Sequence, residues 1–168
     1  EHLVALGHRK IAFLARDIDK EFDWFDVRLS CYKETMVKLG TAIDSDLIVI
    51  DKTGAEATKN LLKLRPDVTA IFAIHDENAA SVIQYLHSEG YHVPNDISVI
   101  GLDNSAQMPE GFPGITTVTF PHSKAAQLAV EILLRQLEDK TVLCNKVFIN
   151  SCLIERDSCG SPKGSSVK

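Results

Sequence analysis

Short apolar, β-branched runs alternate four times with segments whose apolar residues recur at helical spacing. The runs occupy residues 11–15, 47–50, 70–74 and 97–100. Three are apolar at every position and the fourth is interrupted only by Ser98, so each predicts a strand buried on both faces. Strands of that kind belong to parallel sheets, and parallel neighbours need a crossover connection, here a helix. Such crossovers are right-handed, which leaves few topologies. The pattern predicts an α/β fold with a doubly wound parallel sheet.

Local signals set the boundaries. Residues 1–6 read as the end of a helix, and Gly7 suits a left-handed C′ position. His8, Arg9 and Lys10 then bring positive charge to the negative end of the helix dipole. Because the chain opens within a helix, it reads as a piece of a longer protein. Phe25, Leu29, Tyr32, Met36 and Leu39 form one helical stripe that Gly40 ends. Residues 55–64 predict a second helix, broken at Pro66-Asp67. Residues 77–88 predict a third, capped by Asp76 and ended by Gly90. Beyond Asn104, residues 107–114 form a Pro/Gly-rich loop and 115–120 a short strand. Ser123 is placed to cap a helix reaching Glu138. Residues 146–149 and 152–155 predict two closing strands, and 159–168 a disordered polar tail.

The helix after Ser123 is apolar over much of its circumference. Ala125, Leu128, Ala129, Ile132, Leu133 and Leu137 make one broad stripe, and Val130 and Leu134 lie outside it. Such a helix wants contacts on more than one side. Either it is sandwiched in this domain's own core, or it packs on something this chain lacks.

Composition narrows the function classes. At 168 residues, 24% charged and 45% apolar, the chain suits one globular domain with a real core. Its net charge of −5 argues against a phosphate-binding surface of its own. No apolar run approaches the roughly 20 residues of a membrane span. Neither a basic n-region nor an apolar h-region opens the chain. Cys31, Cys144, Cys152 and Cys159 show no C-x-x-C spacing, and are expected as reduced thiols of a cytoplasmic protein.

Polar residues follow three of the runs. Arg28 comes after the first strand and its loop, His75 and Asp76 after the third, Asp103 and Asn104 after the fourth. In a parallel sheet all carboxyl ends share one rim, where ligands bind. Arg donates a fork, Asp accepts, and His does either, which suits adjacent hydroxyls of a polyhydroxylated molecule. Trp24 and Phe22 could lend an aromatic face to a sugar ring. Each residue also has a plainer use: Asp76 as a helix cap, Asp103 and Asn104 as turn formers, His75 as a structural histidine, Arg28 in an ion pair with Asp23 or Asp26. The convergence makes the site. No G-x-S-x-G elbow, P-loop or G-x-G-x-x-G is present, and no histidine pair has the spacing of a zinc helix. No catalytic residue, cofactor or metal is therefore expected.

Several segments resemble the lactose-repressor/galactose-repressor (LacI/GalR) family. EHLVALGHRKIAFL at residues 1–14 is similar to its HLxxLGHRxIAF motif, and VPNDISVIGLDN at 93–104 to VPxDISVIGxDD. Residues 26–32 resemble RxxGF/W, 73–80 AxND..A, 115–118 with Pro121 LTTVxxP, and 153–158 LIxRxS. The resemblance runs from residue 1 to 158 in the family's order. It implies a type I, periplasmic-binding-protein-like lobe. Residues 1–122 and 141–158 would be the C-terminal lobe of a sugar-binding core. Residues 123–140 would be a helix crossing into an N-terminal lobe that is absent here. It implies effector contacts at Arg28, His75 and Asp103, a homodimer, and operator DNA bound only through an absent N-terminal head. His75, Asn104 and Cys31 depart from the family's Asn, second Asp and Gly. The reading is the effector-binding and dimerisation part of a bacterial transcriptional regulator. The alternative is a fragment of a periplasmic-type sugar-binding protein, and an enzyme on the same fold would require turnover.

Overall fold

The computed structural model describes residues 1–41, 43–139 and 146–163. A one-turn helix α1 (His2–Ala5) leads through Gly7, at φ 102°, into β1 (Ile11–Arg16). A 3-10 turn (Asp17–Glu21) and α2 (Asp23–Lys38) follow, then β2 (Ile48–Asp51) and α3 (Gly54–Leu64). Next come β3 (Ala70–Ala73), α4 (Asp76–Ser88), β4 (Ser98–Leu102), β5 (Thr116–Thr119), α5 (His122–Glu138) and β6 (Cys152–Ile154).

The six strands lie in the order β2-β1-β3-β4-β5-β6. The first five are parallel, and β6 pairs antiparallel with β5, Val118 facing Leu153. The predicted doubly wound α/β sheet is present, closed by one antiparallel edge strand. Two cores explain why the strand runs carry apolar residues on both faces. Ala12 and Leu14 of β1 and Ile71 and Ala73 of β3 face α3 and α4, against Leu61, Val82, Ile83 and Leu86. Ile11, Phe13 and Ala15 point the other way, onto Leu3, Phe25, Tyr32 and Met36 of α1 and α2. On that second face an apolar groove of about 560 Å³ remains open between Leu3, Met36, Phe72, Ile100, Val118 and Leu153.

Several local expectations are corrected. Residues 146–149 do not form a strand. Phe148 is 82% exposed, and the free edge of β5 is taken by β6 instead. The helix after β5 starts at His122 behind Pro121, with no side-chain cap from Ser123. Asp76 does not cap α4: the cap position is His75, extended at φ −146° and ψ 161°, and the helix begins at Asp76 itself. The chain end from 159 to 163 lies against the sheet. Gly160 donates its N–H to Ser98 Oγ at 3.0 Å, and its carbonyl accepts from the His8 ring at 2.8 Å. Lys163 pairs with Asp96. These bonds tie the segment to side chains at the amino ends of the strands. The remaining tail positions, 164–168, and Cys144 lie outside the described residues.

Candidate ligand rim

The chain steps from β1 to β2 on one side, then returns to place β3 on the other. The β1/β3 boundary is thus a topological switch point, where an open α/β sheet leaves a crevice outside its carboxyl ends. Arg16 ends β1 there, and His75 stands just beyond β3. The adjacent strand β4 ends at Leu102 and delivers Asp103.

Three predicted residues meet. The Arg28 guanidinium, on the second turn of α2, donates to Ile74 O at 2.9 Å and lies 3.1 Å from His75 Nδ1. Its other nitrogen is 3.6 Å from Asp103 Oδ1, so its ion-pair partner is Asp103 rather than Asp23 or Asp26. His75 Nδ1 is also 3.1 Å from Asp103 Oδ2. Trp24 joins them: its ring stands edge-on to His75 at 4.7 Å and carries the Arg28 guanidinium over its face at 4.4 Å. Phe22 stacks on Trp24 at 5.3 Å, extending an aromatic surface to solvent. The indole face holds the guanidinium in place, a contact worth about 0.5–2 kcal/mol according to its exposure.

The other two expected ligand residues are placed differently. Asn104 turns outward, and its Oδ1 accepts from Arg156 at 2.7 Å. Asp76 is fully buried beneath the rim. Its Oδ1 accepts from the Thr117 hydroxyl at 2.7 Å and its Oδ2 from Ser105 N–H at 3.0 Å. Burial pushes its carboxyl upward, while these donors and the Ala106 amide oppose that shift. Asp103 and Asn104 adopt φ values of 95° and 54°. Left-handed backbone at a residue other than glycine costs about 1–3 kcal/mol, and such strain gathers at binding sites.

Two rim residues went unnoticed in the sequence. Asp19, 0% exposed, accepts from Arg16 N–H at 2.7 Å and from the Arg16 guanidinium at 3.0 Å. It approaches His75 Nε2 at 3.6 Å, behind the ring. A buried carboxylate needs such partners, since an unpaired one costs several kcal/mol. The usable signal was the one already applied to the later strands: the first polar residues after an apolar run. Among the described residues, no cluster of His, Cys, Asp or Glu has metal-binding geometry. None of the described helices is long and apolar enough to cross a membrane.

A doubly wound sheet with a polar rim at its switch point is the arrangement of a ligand-binding α/β domain. The chain belongs to the periplasmic binding protein-like domain family, whose profile matches residues 1–159. It is 36% identical over 140 residues to the HTH-type transcriptional regulator MalR of Clostridium butyricum, covering 79% of this chain and 40% of the relative. A sugar-binding transcriptional regulator of the LacI family from Escherichia coli, solved with phosphate, superposes with a TM-score of 0.83 at 31% identity. That match covers 96% of this chain and 58% of the other. The transcriptional regulator CelR in complex with cellobiose gives a TM-score of 0.78 at 27% identity, over 94% of this chain and 49% of CelR. The chain thus spans less than two thirds of the length of each of these relatives.

Proposed function

We propose that this chain is the C-terminal lobe of the effector-binding core of a LacI-type transcriptional regulator that works in the cytoplasm. The observation that carries the reading is the meeting of Arg28, His75 and Asp103 beside Trp24 at the switch point. These groups offer a fork of donors, a carboxylate acceptor and an aromatic face, which fits a neutral saccharide or similar polyol. Residues 1–122 and 141–158 supply one wall of the cleft. Residues 123–140 cross to a second lobe outside this chain, which accounts for the exposure of Val130, Leu133, Leu134 and Leu137 on α5. The mechanism is non-covalent and needs no catalytic group: an effector bridging two lobes favours one lobe arrangement and shifts DNA affinity by linkage. The protein acts as a homodimer and meets operator DNA through a head outside this chain. The similarity to regulators favours this reading over a periplasmic transport protein.

Titration calorimetry on the full-length protein tests the reading, with a panel of neutral mono- and disaccharides that includes cellobiose. Saturable binding of one of them, lost in Arg28→Ala, is expected. No binder in the panel, or affinity unchanged in both Arg28→Ala and Asp103→Ala, would overturn it.

A further inference from the structure

Asp76 opens α4, yet its buried carboxylate serves another part of the chain. It receives Ser105 N–H at 3.0 Å and the Thr117 hydroxyl at 2.7 Å. The same Thr117 oxygen accepts Asn104 N–H at 3.3 Å. A hydroxyl can donate once while accepting, and an ionised carboxylate only accepts. The order is therefore Asn104 N–H to Thr117, and Thr117 O–H to Asp76. This relay and the Ser105 bond grip the left-handed turn at Asp103 and Asn104 from both sides. Two consecutive non-glycine residues hold such a conformation only where their surroundings over-determine it. Gly101 makes room for the grip, because a Cβ there would overlap Asp76 Oδ1. The positive end of the α4 dipole favours a carboxylate at this place.

We propose that Asp76, acting with Thr117, is a positioning residue of the ligand rim. It sets the turn that aims Asp103 at His75 and Arg28, and it joins that turn to the first turn of α4. A displacement of Asp103 by a ligand passes through this carboxylate to α4 and to the loop at 105–114. The consequence for binding rests on the rim being the ligand site; the control of the turn does not.

The test uses the full-length protein with no ligand added. Trp24 is the only tryptophan of this chain, and its emission reports the rim; in the full-length protein it is read against a Trp24→Phe background. Nitrogen-15 spectra report the Asn104 and Ser105 amides and the His75 ring. Asp76→Asn keeps the shape but turns one acceptor into a donor. Thr117→Val removes the hydroxyl from a strand remote from His75 in sequence, and Thr117→Ser keeps it. Asp76→Asn and Thr117→Val should each speed amide exchange in the turn about tenfold or more. Both should move the Trp24 and His75 signals, and Thr117→Ser should leave them at wild type. Leu61→Ala, a core truncation, should lower stability without moving them. If Asp76→Asn does not fold, Thr117→Val decides alone. Unchanged turn exchange and rim signals in a folded Thr117→Val, or failure of Thr117→Ser to preserve them, overturns the proposal. Failure of the saccharide titration leaves these ligand-free signals untouched, so the two failures are told apart.

Discussion

His75 and Asp103, 28 positions apart in the chain, face each other across 3.1 Å from Nδ1 to Oδ2. Arg28 Nη1 reaches the same ring nitrogen at 3.1 Å from the other side. A guanidinium only donates and a carboxylate only accepts, so one imidazole nitrogen cannot satisfy both. The ring either accepts from Arg28 or donates to Asp103. A hydroxyl of the ligand proposed for this rim would relieve the conflict, donating to Asp103 while accepting from Arg28.

Truncation at this point should be costly for binding. Arg28→Ala or Asp103→Ala in the full-length protein is expected to weaken saccharide affinity by about 1.5–3 kcal/mol, the range for hydrogen bonds to charged groups. Arg28→Lys should recover only part of it, since an ammonium lacks the planar fork. Calorimetry on the three variants checks the ranking.

His8 predicts a pH dependence at the opposite end of the sheet. It is 1% exposed, and its Nε2 faces the Gly160 carbonyl, which can only accept. Nε2 therefore carries the proton, and Nδ1 lies 3.0 Å from the Thr69 hydroxyl. Burial holds this imidazole below its ordinary value of 6.5. Below about pH 6.5 the unfolded chain binds a proton that the folded chain refuses. Stability is thus fully present above that pH and is lost as pH falls toward the lower folded value. The slope from this one group is at most about 1.4 kcal/mol per pH unit. Urea unfolding at about pH 7.5 and about pH 5.5 should show a smaller difference in His8→Leu than in wild type.

Gly101→Ala should destabilise by about 1–3 kcal/mol, the usual cost of overpacking. Its new methyl would meet the Asp76 carboxylate and, at 3.2 Å, the Asp76 Cα. Gly90→Ala is a useful contrast: it has open space but a φ of +83°, so only backbone strain of roughly 1–2 kcal/mol applies. Chemical denaturation of both variants, with near-ultraviolet circular dichroism at the Trp24 rim, separates packing from strain. The rim signal should change only in Gly101→Ala.

Helix α5 should behave unlike any other helix here. Leu134 is 54% exposed, so Leu134→Glu is expected to leave the stability of this chain within about 0.5 kcal/mol of wild type. Leu61→Ala, in the core, should cost about 2–5 kcal/mol. Light scattering on the isolated chain should detect self-association through the exposed leucines, reduced in Leu134→Glu. A monomer at tens of micromolar for wild type would remove that expectation.

The strand-helix alternation determined the sheet, because an uninterrupted apolar run has a stable place only with helices on both faces. It also determined that Arg28, His75 and Asp103 would share one rim, since parallel strands present all their carboxyl ends together. Other features depended on distance through space. Asp76 looks like a helix cap in sequence, but the turn after β4 and the hydroxyl of Thr117 capture its carboxylate. Asn104 looks like a second rim residue, but Arg156, 52 positions later, turns it outward. Gly160 was hidden for the same reason, its partners His8 and Ser98 being remote in the chain, whereas Asp19, bonded to Arg16 three positions before it, was open to the rule already used for the later strands. Hydrophobic periodicity is a local signal that a sequence displays directly. The pairing of buried polar groups is decided only when packing brings distant donors and acceptors within about 3 Å of one another.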